Sequence, residues 1–211
     1  MHEASSPQAS PASPPPYIET QLTDGEPILL RPILPTDQER LARAPEMMSA
    51  QALENRFLHP VHHIDRQLLR YLSRPDQQNH VAWGALPHNR RNHPGYGVAR
   101  YFLLDEPKRA EFSLSTVDEA QNRGLGTLML ALVWELALSQ HVEYFYAEIS
   151  VENYFLVRKL KQIGATAERE GSVYLVQFPL KKTTGVEVTT SFAQRLAANR
   201  KFIRQQLRQM K

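Results

Sequence analysis

The chain has 211 residues, 42% hydrophobic and 22% charged, a composition that suits one medium-sized globular domain with a hydrophobic core. It contains no cysteine, which excludes disulfides, thiolate metal sites and a cysteine nucleophile, and agrees with the cytoplasmic location that we expect. The net charge of +3 is unevenly distributed along the chain: residues 181–211 hold eight basic residues and one acidic residue, and residues 1–180 therefore carry −4. Because the positive charge is confined to the C-terminal segment, no specific nucleic-acid partner is indicated.

Residues 1–20 are predicted to be a disordered tail rich in proline and serine. Such a segment cannot bury enough apolar surface to offset its chain entropy. It also lacks the apolar core of a signal peptide. No run elsewhere approaches the roughly 20 apolar residues of a transmembrane segment, so none is predicted.

The first part of the predicted domain, residues 21–182, alternates strand-like and helical patterns. A strand is expected over Ile28–Leu34, with Pro32 confining it to a sheet edge or marking a bulge. Thr36–Glu39 fits a capping box that opens a helix. Further elements are then predicted in chain order, namely helical pieces over 45–58 and 65–73 and antiparallel strands over 80–86, 96–104 and 110–117.

The second part of the domain is predicted to be helix, strand, helix and strand. Apolar residues from Leu125 to Leu136 recur with the spacing of one buried helix face. A buried strand over 142–150 is followed by a helix that Asn153 caps and Gly164 ends, and by a last strand over 173–180. Because a crossover helix joins parallel strands, the predicted fold class is α/β with a mixed (α+β), mostly antiparallel sheet.

Residues 183–211 are predicted to form a basic amphipathic C-terminal helix. Its apolar residues lie near helical spacing with arginine and lysine between them. It could pack on the domain, pair with a second subunit in a homodimer, or rest on an anionic partner or membrane surface. Packing or dimerisation is the more ordinary outcome for such a helix.

The segment QNRGLGT, Gln121–Thr127, carries the most specific chemical signal. Its backbone amides from Asn122 to Thr127 converge at the positive end of a helix, a geometry that binds pyrophosphate. The dinucleotide fingerprint fails because Met129 stands at its third glycine, and the nucleotidase phosphate loop is absent. A tight turn that binds nothing is the alternative that the glycines alone leave open.

Three pieces of sequence together resemble the GNAT superfamily of N-acetyltransferases. They are AEFSLSTVDEAQNRGLGTLML, the strand after it, and ENYFLVRKLKQIGA, in which Asn153 lies eleven residues before Gly164. The segment LRPILPTD is similar to the opening of bacterial Pat-like protein lysine acetyltransferase domains. The resemblance covers residues 28–180 and implies the GNAT fold, a sheet splayed at a coenzyme A cleft and flanked by helices, with acetyl-CoA as cosubstrate.

The resemblance also implies roles for individual residues. The backbone of one strand would pair with the pantetheine arm, the glycine turn would hold the pyrophosphate with added charge from Arg123, and Asn153 would bond the coenzyme across the gap. The implied cofactor-binding residues are Leu114, Ser115, Thr116, Gln121, Asn122, Arg123, Gly124, Leu125, Gly126, Thr127 and Asn153.

Glu111 is the candidate general base, because it lies ten residues before Gln121 as the catalytic glutamate does in relatives with an AEF strand. A lysine amine with a pKa near 10.4 is only about 0.04% neutral at pH 7, so its deprotonation costs roughly 4.6 kcal/mol. A carboxylate beside the acceptor, acting directly or through one water, offsets part of this cost. The alternative is a solvent-facing strand residue beside Lys108 and Arg109.

One departure from the family pattern concerns the thiolate that leaves coenzyme A. Many members place a tyrosine general acid seven residues after the asparagine, where this chain has Leu160. We expect an acetyl-CoA-dependent N-acetyltransferase in which a primary amine, favoured to be a protein lysine, attacks the thioester directly in a ternary complex. A small-molecule amine or polyamine acetyltransferase and a noncatalytic acyl-CoA-binding or sensing protein are the alternatives.

No metal site is predicted. His59, His62 and His63 are close in sequence, but no carboxylate follows at a clear ligand spacing, so we interpret them as loop histidines.

Overall fold

The computed structural model describes residues 16–58, 64–90, 92–181 and 189–210, and its strands form a single mixed sheet in the order β1-β2-β3-β4-β5-β6-β8-β7. The strands are β1 Ile18–Gln21, β2 Pro27–Pro32, β3 His80–Pro87, β4 Gly97–Leu103, β5 Arg109–Thr116, β6 Tyr144–Ser150, β7 Thr166–Glu170 and β8 Val173–Pro179. The helices are α1 Gln38–Arg43, α2 Ala50–Phe57, α3 Arg66–Leu72, α4 Leu125–Ser139, α5 Tyr154–Lys161 and α6 Ser191–Gln209. The predicted class, a mixed and mostly antiparallel sheet flanked by helices, is confirmed.

Strand β1 begins inside the segment predicted as a disordered tail. Ile18 is 1% exposed and pairs with Leu30 of β2, so residues 18–20 are ordered by burial and by pairing along one sheet edge. Residues 1–15 lie outside the described residues. Strand β2 is not an edge strand, because β1 pairs with it over Pro27–Leu30. Pro32 lies beyond that pairing and ends β2 opposite Trp83.

The LRPILPTD segment forms a locked turn, and the predicted capping box at Thr36–Glu39 is wrong. Asp37 accepts the Leu34 backbone N–H at 2.9 Å and two hydrogen bonds from the Arg31 guanidinium at 2.6 and 2.7 Å. Burial alone would raise the pKa of Asp37, but these hydrogen bonds lower it. Helix α1 therefore starts after Asp37, whose side chain is already used to hold the turn.

Strands β5 and β6 are parallel, as the crossover helix between them predicts, but they pair over only part of their length. Their register joins Arg109 to Tyr144, Ala110 to Phe145 and Glu111 to Tyr146. Beyond these three pairs the two strands separate, although each remains hydrogen-bonded to its other neighbour, β4 or β8. The sheet is thereby splayed at its centre.

Helix α4 is buried on two sides. For this reason its apolar residues extend beyond a single face of the helix. The sheet covers the predicted face, and α6 covers Trp134 and Glu135 on another side. Glu135 receives the guanidinium of Arg200 at 2.6 Å and that of Arg204 at 2.9 Å. The C-terminal helix thus packs on the domain; residues 182–188 and 211 lie outside the described part of the chain.

The start of α5 differs from the prediction, whereas its end matches the prediction. Asn153 occupies the N-cap position, but its side chain makes no capping hydrogen bond. Gly164 adopts φ 93° after the helix, as a terminating glycine does, and the short exposed strand β7 that follows was not predicted. None of the helices in the described ranges has the length and apolar character that a bilayer span requires.

Candidate active site

A cleft of about 450 Å³ opens where β5 and β6 separate. Its walls come from α2, β5, the turn before α4, β6, α5 and the first turns of α6. Most of the predicted cofactor-binding residues line it, namely Leu114, Ser115, Thr116, Gln121, Asn122, Gly124, Gly126, Thr127 and Asn153. The structure therefore brings together segments that are up to 39 positions apart, from Leu114 to Asn153.

The edge of β5 offers backbone hydrogen-bonding groups to this cleft. A Cβ built on Gly97 of β4 would lie only 2.7 Å from the Ser115 carbonyl oxygen, so the Ser115 backbone faces β4. Backbone groups of successive strand residues point to opposite edges. Leu114 and Thr116 therefore face the gap, where an extended amide-containing arm can pair with them, whereas the Ser115 backbone is directed away from it.

The turn before α4 has the backbone shape of an anion-binding nest. Asn122 and Gly124 adopt φ 58° and 82°, and α4 begins directly after Gly124. The backbone hydrogen bonds of α4 begin with the Leu128 N–H, which donates to the Gly124 carbonyl. The amides of Leu125, Gly126 and Thr127 precede it and are left for a ligand, as at any helix start.

Arg123 does not serve the cleft as predicted. Its guanidinium donates to Asp24 at 2.6 Å and forms a second ion pair with Glu26, and it lies over the Tyr96 ring. The hydrogen bonds to Asp24 and Glu26 raise the pKa of Arg123. Its charge is thus engaged by acidic residues nearly a hundred positions away, and its role is to anchor the turn to the β1–β2 loop.

The side chain of Leu125 takes no part in the cleft. Its side chain is 1% exposed and belongs to the hydrophobic core, and it is not part of the cleft wall. The backbone amide of Leu125 lies in the first turn of α4, so the predicted cofactor contact remains a prediction for that amide alone.

Glu111 stands at the branch point of the sheet. It forms the last β5–β6 pair, opposite Tyr146, and on the other side it is in register with Phe102 of β4. Its exposed side chain lies on the sheet face opposite Phe112, the first cleft-lining residue of β5. Burial lowers the pKa of Arg56, and the negative charge of Glu111 acts in the opposite direction. The Arg56 guanidinium and the Glu111 carboxylate therefore lie close enough to attract each other.

Position 160 holds no acid in this cleft. Leu160 lines the wall and is 1% exposed, so an apolar, packed side chain stands at the position where many family members have tyrosine. Tyr154, the nearest phenol in sequence, is 48% exposed and its ring lies 5.9 Å from that of Tyr174. Asn153, at the N-cap position of α5, makes no capping hydrogen bond and lines the cleft.

Sequence reasoning missed several residues of the cleft wall, among them two cations and an aromatic ring where α5 and α6 meet. Lys159 comes from α5, and Phe192 and Arg195 come from α6. The amphipathic pattern of the C-terminal segment was visible, but no local signal shows where that helix docks. Within the described ranges no group of three or more potential metal ligands occurs, and His59, His62 and His63 lie outside them.

Comparison with known proteins agrees with this geometry. The family model described as "Acetyltransferase (GNAT) domain" matches residues 28–166. Acetyltransferase Pat of Mycolicibacterium smegmatis is 30% identical over 158 residues, which are 72% of this chain but only 45% of that protein. The chain thus spans less than half the length of this relative.

Solved structures share the fold at lower sequence identity. The GNAT domain of S. lividans PAT superposes with a TM-score of 0.70 at 22% identity, covering 78% of this chain and 97% of that one. Spermidine N-acetyltransferase from Vibrio cholerae, solved with CoA and spermine, gives 0.57 at 14% identity, covering 72% and 95%. This chain belongs to the GNAT family of acetyltransferases, which use acetyl-CoA as the acetyl donor.

Proposed function

We propose that the protein transfers an acetyl group from acetyl-CoA to a primary amine, and that the amine is a protein lysine. The observation that carries the proposal is the splay of β5 from β6 directly after Glu111, beside an amide-lined turn. The lysine acceptor rests on the similarity of the LRPILPTD segment to Pat-like protein lysine acetyltransferases. A small-molecule amine acetyltransferase is the other acceptor class.

The proposed complex has the coenzyme in the cleft and the acceptor on the other sheet face. The pyrophosphate sits on the amides of Asn122–Thr127, the pantetheine pairs with Leu114 and Thr116, and Asn153 bonds the coenzyme from α5. The thioester then lies near Phe112, where the strands meet. An acceptor amine approaches from the face that carries Glu111, so the two substrates enter from different sides.

Catalysis in this arrangement is direct transfer. Glu111 takes a proton from the acceptor ammonium, directly or through one water, and the neutral amine attacks the thioester carbonyl. A β5 amide near Leu114 stabilises the oxyanion. The intermediate loses its second nitrogen proton to water and collapses with cleavage of the carbon–sulfur bond, and solvent protonates the thiolate because Leu160 offers no proton.

Replacement of Glu111 by Gln tests the base. We expect the rate of coenzyme A release with a lysine-containing protein to fall by about 10²–10⁴ at neutral pH, with acetyl-CoA affinity nearly unchanged. At a pH where the acceptor amine is already neutral, the deficit should shrink. An unchanged rate at neutral pH would remove Glu111 from this role.

The acceptor class is tested by comparing turnover on lysine-containing proteins and on polyamines with the unaltered chain. Faster turnover on a polyamine than on any protein would overturn the lysine assignment.

Leu160 favours a second candidate function, a noncatalytic acyl-CoA sensor. Tight acetyl-CoA binding without turnover on either class would favour that function over both transferases.

A further inference from the structure

Two cationic side chains from different helices converge on the coenzyme cleft. Lys159 of α5 and Arg195 of α6 both line it, together with the Phe192 ring. The Lys159 ammonium lies 4.2 Å from the centroid of the Phe155 ring and 5.9 Å from that of Phe192. The start of α6 and the start of α5 therefore meet at one place in the cleft wall.

These two charges are held near each other without a described counter-ion. Partial burial and the neighbouring Arg195 both lower the pKa of Lys159. In the described part of the chain neither residue forms an ion pair, whereas Arg200 and Arg204, on the same helix as Arg195, share Glu135. Like charges brought together in this way favour binding of an anion.

The position of the pair identifies which part of the coenzyme it meets. Strands β5 and β6 are parallel, so the glycine turn after β5 and the start of α5 after β6 lie at the same edge of the sheet. Lys159 reaches back over Phe155, in the first turn of α5, and is therefore at the pyrophosphate end. Beyond the pyrophosphate, coenzyme A continues as a 3′-phosphorylated adenosine.

We propose that Lys159 and Arg195 bind the 3′-phosphate of coenzyme A, and that α6 thereby completes the cofactor site. The proposal rests on the placement of the coenzyme in this cleft. Two donors of positive charge suit a phosphate dianion. The Phe192 ring beside them also lines the cleft and offers a face for a nucleobase, which a small inorganic anion would not use. Helix α6 lies beyond residues 28–166, so the Arg195 part of this contact is outside the matched family domain.

The test measures binding of coenzyme A and of dephospho-coenzyme A, which lacks only the 3′-phosphate, by calorimetry with no acceptor present. The unaltered protein should prefer coenzyme A by at least about tenfold. Lys159→Met and Arg195→Met keep the apolar stems but remove the charges. Each should weaken coenzyme A binding by about tenfold and leave the affinity for dephospho-coenzyme A nearly unchanged.

Matched controls come from the same two helices. Lys161→Met on α5 and Arg208→Met on α6 remove one exposed positive charge each outside the cleft wall, and both should retain the full preference. Equal losses of both coenzymes in the Lys159 and Arg195 variants would assign these cations to the pyrophosphate and overturn the proposal, as would unchanged affinities. Failure of the unaltered protein to bind either coenzyme would instead overturn the placement of the coenzyme itself.

Discussion

Gly124 and Gly126 stand two residues apart in the glycine turn, but the fold needs only the first of them. Gly124 has φ 82°, and a Cβ there would lie 2.7 Å from Thr23 Cγ2. A Cβ at Gly126 would meet nothing closer than Leu114 Cδ2 at 4.0 Å, across the cleft. Packing therefore does not require a glycine at position 126, which agrees with the proposed role of this residue in leaving room for the ligand.

This contrast predicts opposite phenotypes. Gly126→Val should leave the free energy of unfolding within about 1 kcal/mol of the parent and abolish acetyl-CoA binding, because its side chain enters the pyrophosphate seat. Gly124→Ala should cost about 1–3 kcal/mol of stability, because an L residue is strained there. Urea unfolding and calorimetric titration with acetyl-CoA distinguish the two. Retained coenzyme affinity in the folded valine variant would contradict the proposed seat.

His80 is buried in a cluster with two aromatic rings and beside a guanidinium. Its ring stacks on Phe102 and Tyr71 with centroids 4.2 and 5.3 Å away, and its Nε2 faces Arg100 Nη1 at 3.1 Å. Burial, together with the Arg100 charge, lowers the pKa of His80 to about 4. The folded protein therefore holds a neutral histidine that accepts from Arg100.

The shifted pKa makes stability depend on pH. Between about pH 4 and 6.5 the unfolded chain binds a proton at His80 and the folded chain does not, so stability falls as the pH is lowered through this window, by up to about 3 kcal/mol. His80→Gln should flatten this part of the urea-unfolding profile, whereas His88→Gln, at an exposed position, should leave it as it is. A profile in His80→Gln as steep as that of the parent would refute the assignment.

Helix α6 is attached to α4 by a buried ion pair. Arg200 is 2% exposed, pairs with Glu135, donates to the Lys181 carbonyl at 2.6 Å and lies with its guanidinium 4.5 Å from the Trp134 ring centroid. Buried pairs contribute little net stability compared with apolar packing, but breaking one is costly. The pair therefore holds α6 in one docked position.

Removal of one partner tests this docking. Arg200→Met should lower the free energy of unfolding by about 3 kcal/mol, because it leaves the Glu135 carboxylate buried with Arg204 alone. The double change Glu135→Leu with Arg200→Met should recover part of that loss, and Arg208→Met should change little. Urea denaturation measures all three. A loss in Arg200→Met no greater than that in Arg208→Met would mean that α6 is held by other contacts.

At the scale of the whole molecule, the sheet consists of two halves joined at one narrow place. Strands β1–β5 form one half and β6–β8 the other, and three parallel residue pairs connect them. Helix α4 links the halves along the chain and packs on both. Coenzyme bound in the cleft would contact β5 on one side and α5 on the other, and thus tie the halves together.

Coenzyme binding should therefore stabilise the entire domain. At acetyl-CoA concentrations about a hundredfold above the Kd, we expect a gain of about 2.7 kcal/mol and a rise in Tm of roughly 5–10 °C in a single cooperative transition. Differential scanning calorimetry measures both quantities. The Gly126→Val variant should show no shift. A second transition that the coenzyme does not move would show that the two halves unfold independently.

Local sequence patterns determined much of this protein. The apolar period of α4, the parallel crossover that it requires, the glycine turn at its start and the register from Glu111 to Gln121 all depend on residues close together in the chain. Each can therefore be derived from backbone geometry and the hydrophobic effect without knowledge of distant partners. The same patterns, through family resemblance, identified nine of the residues that line the cleft.

Only the tertiary structure decided which charged side chains line the cleft. Arg123 is engaged by Asp24 and Glu26 across 99 and 97 positions, and α6 docks on α4 through residues 65 positions apart. Ion pairs and helix docking depend on three-dimensional proximity that no local pattern encodes. For that physical reason the sequence placed Arg123 in the cleft, where it is absent, and left out Lys159 and Arg195, which line it.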